Sequence, residues 1–558
     1  MAFNKSTPFV LLVLTKAGWL ITLLVLVSFS VSGQTNRKYL VLLRDKANSP
    51  YSLDRPGQFL SQRAIQRRQK QNIAVLERDL PVTPAYVTQI QQTGARVWYT
   101  SRWFNAVLVE TNETTLATIQ RLPFVAGVEF NKSLANARLG ETGRVTSLAQ
   151  AESAGKFGAV EPLNYGNSLN QVTQIGADKM HQAGYRGEGM LIGVLDSGFL
   201  RANQLSFLKP LFDEKRILAT YDFVRKETSV YEDDSHGLSC LSAIAATADN
   251  QLYGTAFKAQ FILLRTEDAG SEQRIEEANW LFGAEYADSA GVDVISSSLG
   301  YTTFDNPASD YTYRDMNGKT ALSSRAAQIA AETGMVVVVA AGNEGSGSWR
   351  YLSAPSDADA VLAIGAVTQT GQRAAISSFG PSADGRVKPD LAARGQGTVV
   401  GSPGGQIVLG DGTSFATPLV AGLAAGFWQA NPRLTAAQVT DALRRSGSQY
   451  TSPDDQVGYG IPNFERAMEV ARTYSQFLIY PNPFSDSQPL AVQWSDIQAN
   501  TPVDATLTDL TGRVVWSNRY TPAGLASFVL PPLNLSAGLY VMTLVAGDQK
   551  RSIKVIKQ

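Results

Sequence analysis

Three short motifs follow one another along this chain: Val194-Leu195-Asp196-Ser197-Gly198, Asp234-Ser235-His236-Gly237 and Gly412-Thr413-Ser414-Phe415-Ala416-Thr417-Pro418. Together they supply a carboxylate, an imidazole and a hydroxyl. A serine nucleophile needs these groups: the attacking oxygen, a base to take its proton, and an acid to orient the base. The chain has only two histidines, His181 and His236, and only His236 lies in such a motif. A catalytic imidazole is therefore expected at His236.

A fourth group is Asn343, which ends the run Val336-Val337-Val338-Val339-Ala340-Ala341-Gly342-Asn343. An amide at a strand end, flanked by glycines, can aim its NH2 at a developing oxyanion. Each of these residues also has a plainer reading. Asp196 could cap a turn, His236 could be structural at a helix start, Ser414 could be an N-cap, and Asn343 could fill an unusual turn conformation. Cys240 shares a helix face with His236 and reads as a small buried hydrophobe. Asp233 and Asp234 read as solvated loop charges. The order of the motifs excludes one rival: an α/β-hydrolase places its histidine after its serine, and no histidine follows Ser414.

The elements that must hold these residues can be read from pattern. Asp196 follows an apolar run directly, so its carboxylate is expected at the C-terminal edge of a sheet, where open α/β sheets place their ligands. Buried-type strands are predicted at 190–195, 261–265, 292–296, 335–340 and 361–367. Helical stretches at 273–288 and 319–333 end at Gly291 and Gly334. Such alternation predicts an α/β fold: a parallel sheet with helices on both faces. Ser414 precedes an apolar helix over 415–429 with Pro418 in its first turn.

Five segments follow from composition. Residues 1–33 read as a signal peptide, with Lys5, an apolar run from Trp19 to Phe29 and small residues before Gln34. Residues 34–136 read as a small α+β unit, including helices near 57–71, 84–93 and 114–121. The basic stretch Arg63–Lys70 reads as the wet face of a helix. Residues 137–165 read as a linker open to proteolysis. Residues 166–473 form the α/β domain. Residues 474–558 lose the helical period and read as an all-β sandwich.

Lys+Arg and Asp+Glu balance at 49 each, so no nucleic-acid partner is expected. One cysteine, Cys240, excludes an intrachain disulfide, and with two distant histidines it cannot build a usual zinc site. Calcium, which needs only oxygen ligands, stays open.

Taken in order, the motifs resemble those of the subtilisin-like serine proteases, over about 170–470. The resemblance implies a secreted serine endopeptidase made as a zymogen, with Asp196, His236 and Ser414 as triad and Asn343 at the oxyanion. It also implies a substrate-strand contact at Ser298, Leu299 and Gly300, protein or peptide substrates, and no required cofactor, while the small residues Ala341 and Gly342 beside Asn343 read as part of an open apolar substrate pocket. Gly254-Thr255-Ala256 resembles a turn of that family. Leu238, Arg394 and Phe415 depart from its usual residues. Ser49-Pro50-Tyr51-Ser52-Leu53 and Thr100-Ser101-Arg102-Trp103-Phe104-Asn105-Ala106 resemble the prodomain of exported Bacteroidetes members, implying that the N-terminal unit acts as an intramolecular inhibitor. Tyr480-Pro481-Asn482-Pro483-Phe484, Asp509-Leu510-Thr511-Gly512-Arg513 and Gly538-Leu539-Tyr540 resemble a type IX sorting domain, implying outer-membrane secretion machinery as a partner and a secreted or surface location.

Overall fold

The computed structural model describes residues 35–136, 163–475, 477–494, 501–521 and 526–558. The expected signal peptide and nearly all of the expected linker lie outside them. The chain divides into two compact units.

The smaller unit draws on Met1–Ser49, Val82–Thr100 and Phe104–Leu139. Its antiparallel sheet contains β1 (Arg37–Leu43), β2 (Arg96–Ser101), β3 (Ala106–Thr111), β4 (Val125–Val128) and β5 (Ala135–Asn136). The spatial order is β2-β3-β1-β4, with β5 pairing to β1. Alternate residues of β1, Tyr39, Val41 and Leu43, join Val107 and Val109 of β3 on one face. Helices Pro84–Gln92 and Glu113–Gln120 cover that face with Ile90 and Ile119. Asn112 caps the second helix by accepting from the Thr115 amide.

The larger unit holds Pro50–Pro81, Ser101–Trp103 and the described residues from 163 onward. Its first helix is α1 (Gln62–Lys70), capped by Ser61, whose Oγ accepts from Ala64 N. Arg67 and Arg68 of α1 are 4% and 1% exposed, so the wet-face expectation for this stretch is wrong. The 3.6-residue period was legible, but the buried carboxylate that makes burial of two arginines tolerable is distant in sequence.

Seven parallel strands form the central sheet: β6 (Leu191–Asp196), β7 (Ile217–Asp222), β8 (Gln260–Arg265), β9 (Val294–Ser297), β10 (Val336–Ala340), β11 (Leu362–Val367) and β12 (Leu391–Arg394). Their order is β12-β11-β10-β9-β6-β8-β7. All but β7 are almost wholly buried, which is why five of them read as continuous apolar runs. The two edge strands are not apparent in sequence: β7 is half-exposed and β12 is only four residues long. Helices α2 (His236–Ala245), α3 (Ile275–Ala290), α4 (Leu322–Glu332), α5 (Thr413–Ala430) and α6 (Ala436–Arg445) accompany the sheet. The largely buried α5 contributes Leu419, Val420, Leu423 and Phe427 to the core that includes Ile192, Val294, Val338 and Ile364.

The chain runs from β6 to β7 and β8 on one side of the sheet, then crosses to β9 on the other. The loops after β6 and its neighbours therefore diverge at the end of β6. This is the switch point at which parallel sheets open a crevice, and Asp196 ends β6 there.

The C-terminal region has two antiparallel sheets. One pairs Phe477–Tyr480, Ala491–Trp494 and Ala526–Val529. The other pairs Val514–Tyr520, Val503–Thr508, Gly538–Ala546 and Gln549–Lys557 in that order. Val492 and Trp494 of the first sheet share one core with Leu507, Met542 and Leu544 of the second, which makes a sandwich.

Candidate active site

Two glycines let α2 reach the end of β6. A Cβ at Gly237 would meet Gly198 O at 2.5 Å and Asp196 Cβ at 2.7 Å. One at Gly198, where φ is +153°, would meet the Asp234 backbone at 2.7 Å. The glycines of the first two motifs thus permit contact between the segments that carry Asp196 and His236. His236 is the first residue of α2, and its Nδ1–H donates to Asp196 Oδ1 at 2.7 Å.

Asp196 is fully buried, and its Oδ1 also accepts from Ser197 N (2.8 Å) and more weakly from Ser197 Oγ (3.3 Å). The Asp196 carboxylate holds the His236 imidazole well above its ordinary value, with the neighbouring Cys240 adding to it and burial opposing. Burial itself keeps the Cys240 thiol protonated, so the carboxylate is the physical cause.

Asp233 and Asp234 are not simply solvated loop charges. Asp234 Oδ1 accepts from Ser197 Oγ (2.6 Å) and from His236 N (2.9 Å), so it ties the Asp196 loop to the start of α2. Asp233 pairs with Arg225 (2.7 Å) and Arg265 (3.3 Å). Arg265, opposite Asp196 in register, also donates to Ser197 O (2.9 Å) and Asp222 (2.7 Å).

Ser414 is the second residue of α5. Pro418, expected in the first turn, is the sixth residue of that helix. Proline lacks the N–H that would bond the carbonyl four residues back, so the Ser414 carbonyl is released from the helical ladder. It accepts instead from Ser298 Oγ (2.8 Å) and Cys240 Sγ (3.3 Å). Cys240 Sγ also lies 3.9 Å from His236 Nδ1. The backbone of Ser414 is thereby fixed to α2 and to the segment after β9. Its own hydroxyl donates to Ser298 O at 3.4 Å, at the long limit for a hydrogen bond, and among the described residues none joins it to His236.

The third region is the end of β10. Asn343 Oδ1 accepts from Thr413 N (2.8 Å) and Thr413 Oγ1 (3.0 Å). Its carbonyl oxygen is committed to α5, which leaves its NH2 as the outward donor on an exposed residue. Among the described residues the backbone N–H of Ser414 has no acceptor, as expected in a first helical turn. Ser298, Leu299 and Gly300 follow β9 directly, and only Gly300 is exposed. Ala341 is fully buried, and Gly342 N donates to Thr413 Oγ1 at 3.3 Å.

His181 lies apart from this group. It is buried, with ring nitrogens bonded to Tyr165 Oη (2.9 Å) and Thr255 O (3.0 Å), and burial pushes its imidazole down to about 4. Leu238 is fully buried in α2, Arg394 donates to Asn170 Oδ1 (2.8 Å), and the Phe415 ring sits 5.8 Å from that of His236. None of these three departures displaces Asp196, His236 or Ser414. The carboxylates Asp222, Glu227 and Asp233 cluster closely enough to hold a cation, but Arg265 already occupies Asp222 and Asp233. A second acidic group is Glu267, Glu272 and Glu276.

Comparison with known proteins agrees with this architecture. Residues 187–460 match the subtilase family (Peptidase_S8). Residues 38–146 match the peptidase S8 propeptide domain of Bacteroidota, and 478–558 match the secretion system C-terminal sorting domain. The chain is 30% identical over 385 residues to subtilisin NAT of Bacillus subtilis subsp. natto, covering 68% of this chain and 85% of that protein. It is 33% identical over 303 residues to a subtilisin of Bacillus pumilus, covering 53% of this chain and 98% of that one. Serine protease AprX of Bacillus subtilis is 29% identical over 313 residues, or 50% of this chain and 66% of that protein. The type IX sorting domain directs secretion to the cell surface or extracellular space, and no described helix is long and apolar enough to cross a membrane. With a propeptide ahead of its catalytic region, the chain is made as a zymogen and belongs to the subtilase family of serine-type endopeptidases.

Proposed function

We propose that Asp196, His236 and Ser414 form the catalytic triad of this endopeptidase and that Asn343 with the Ser414 backbone N–H holds the oxyanion. The observation that carries this reading is the 2.7 Å bond from His236 Nδ1 to the buried Asp196 carboxylate, beside a serine backbone anchored through Cys240 and Ser298. The carboxylate fixes the tautomer with the proton on Nδ1, which leaves Nε2 as the base.

A turn about the Ser414 Cα–Cβ bond exchanges the weak bond to Ser298 O for one to Nε2. The Ser414 proton passes to Nε2 as Oγ bonds to the scissile carbonyl carbon. The carbonyl oxygen becomes an oxyanion and takes two donors, Asn343 Nδ2 and Ser414 N, neither of which has an acceptor among the described residues. Collapse breaks the C–N bond, and the imidazolium returns the proton to the leaving amine. Water, deprotonated by the same imidazole, then attacks the acyl-enzyme and regenerates Ser414.

Substrate lies as an extended strand beside Ser298-Leu299-Gly300, with Gly342 at the neighbouring wall; Ala341, expected to share that contact, is fully buried behind it and does not reach substrate. No cofactor takes part in these steps. Protein or peptide chains are the substrates. The prosegment, 34–136, is the intramolecular inhibitor until the linker at 137–165 is cut, and the sorting domain engages the outer-membrane secretion machinery.

Labelling the secreted protein with a fluorophosphonate, followed by mass spectrometry, tests the assignment: the adduct is expected on Ser414. A correctly processed chain that takes no adduct there would overturn it. Asn343→Ala is expected to lower kcat by about 100- to 1,000-fold with KM little changed, the range known for the oxyanion-hole amide in subtilisins. An equal rise in KM at constant kcat would show that Asn343 binds substrate without serving the oxyanion.

A further inference from the structure

Tyr301 follows Ser298-Leu299-Gly300 directly and is fully buried, although Gly300 before it is exposed. It is fastened at both ends. Its backbone donates to Ala354 O (2.8 Å) and accepts from Ala354 N (3.2 Å). Its hydroxyl donates to Glu267 Oε2 at 2.9 Å. Glu267 lies in the loop after β8, Tyr301 lies in the loop after β9, and β6 stands between those two strands. The Tyr301 side chain therefore reaches across the end of β6, the strand that ends in Asp196. There Thr266 N donates to Asp196 O (3.0 Å), so the loop that holds Glu267 is tied to the same strand end.

Glu267 is only 9% exposed, so its carboxyl has lost most of its hydration and needs partners within the protein. Besides Tyr301 it has Glu276, fully buried in the first turn of α3, which is hydrogen-bonded to it. Two carboxyl groups share a hydrogen bond only when one of them is protonated. Glu276 is held in turn by Asp268 N (3.3 Å) and Gln273 N (2.8 Å). Glu272 completes the group, with an oxygen of each of the three within 4.8 Å of the others. Among the described residues no lysine or arginine pairs with any of the three. The nearby Arg265 is committed to Asp222, Asp233 and Asp268, and Arg274 to Glu277. The other charges that face the group are also negative: Asp196 toward Glu267, and Asp305 and Glu277 toward Glu272. Burial first, and then the neighbouring carboxylates, push Glu267 and Glu276 well above the ordinary carboxyl range and Glu272 up to about 7.

We infer that Glu267 is a positioning residue for proteolysis: it holds Tyr301, and through Tyr301 the Ser298-Leu299-Gly300 segment, in place for an extended substrate for as long as Glu276 shares a proton with it. This rests on the substrate reading above and adds a titrating support beneath it. Loss of the shared proton sets two adjacent buried carboxylates against each other, Glu267 leaves the Tyr301 hydroxyl, and the segment loosens. The effect falls on binding, so KM rises with pH above neutrality while kcat is little changed. It stands apart from His236, whose deprotonation is read in kcat.

The test uses active enzyme titrated with a fluorophosphonate, so that rates are per Ser414. It is assayed from neutral to alkaline pH with a peptide anilide of about four residues, which extends along 298–300, and with an ester of a single amino acid, which does not. For the extended peptide, Tyr301→Phe is expected to raise KM at least about 10-fold with kcat held, and KM for the short ester is expected to change far less. In Glu276→Gln a carboxamide N–H donates to Glu267 at every pH, so the alkaline rise of KM seen in the parent is expected to vanish. Thermal melting checks that the variants fold. If Tyr301→Phe does not, the pH dependence of KM in the parent and in Glu276→Gln decides. A parental KM that is flat with pH, a rise shared equally by Glu276→Gln, or a Tyr301→Phe enzyme with the parental KM would overturn the inference. With the Ser414 adduct present, those outcomes leave the protease assignment standing, whereas absence of the adduct would remove the reading on which the inference rests.

Discussion

Replacing Ser414 with alanine is expected to lower kcat by about 10^4- to 10^6-fold while KM for a peptide substrate changes little. The size is that known for loss of the nucleophile in subtilisins. The direction follows from the site. Without Oγ no acyl-enzyme forms, and what remains is the polarising effect of Asn343 Nδ2 and the Ser414 N–H on bound substrate. Cys240, the chain's single thiol, lies nearby, but it is fully buried, its thiol is pushed up by that burial, and its Sγ is committed to Ser414 O. Single-turnover assays of Ser414→Ala on a peptide ester and a peptide amide provide the check. Retention of more than a tenth of the parental rate would sink the assignment.

Asp196→Asn carries the second-largest effect. The carboxylate does two things: it fixes the Nδ1–H tautomer of His236, and it raises the imidazole well above 6.5. An amide at this position can present its NH2 to Nδ1 and reverse the tautomer, so a fall in kcat of about 10^4-fold is expected. The pH profile separates this from simple misfolding. The base works only when neutral, so in the parent chain kcat/KM rises with pH through the raised value of His236, above 6.5. Loss of the carboxylate lowers that value, and the acid limb of the residual activity moves to lower pH. A limb unmoved in Asp196→Asn would mean that another group sets it. The same shift enters folding. A group whose value is raised in the folded state adds stability that is complete below its unfolded value, near 6.5. That stability is lost as the pH climbs through the folded value. The melting temperature of the parent, relative to Asp196→Asn, is therefore expected to narrow as the pH rises above 6.5.

Much of the architecture was legible because the signals were local. Five apolar runs became central strands because a parallel strand covered on both faces must be apolar throughout. Gly291 and Gly334 marked helix ends because both sit at positive φ after the last turn. What failed to show were β7 and β12, the two edges. Five of the six residues of β7 are only partly buried, and β12 is too short to carry a period. In the C-terminal sandwich, Gln549–Lys557 carries a weak strand signal because two lysines and a serine stand on its outward face and its inward face contributes only one fully buried residue, Val555.

By itself, the sequence determined which groups are available and in what order they occur: one carboxylate, one imidazole and one hydroxyl, each beside glycines that allow close approach. Tertiary structure alone decided what surrounds them. Pro418 is visible in the sequence, but only the fold brings Ser298 and Cys240 to the carbonyl it releases. Asp234 looks like a loop charge until Ser197 and the His236 amide converge on it. Arg67 and Arg68 look like a solvated face until Asp288, some 220 residues away, meets them in the interior. The physical reason is the same in each case. Periodicity, turns and caps depend on residues within a few positions. The burial of a charge, by contrast, is tolerated only where a partner arrives from elsewhere in the chain, and that arrival is a property of the fold.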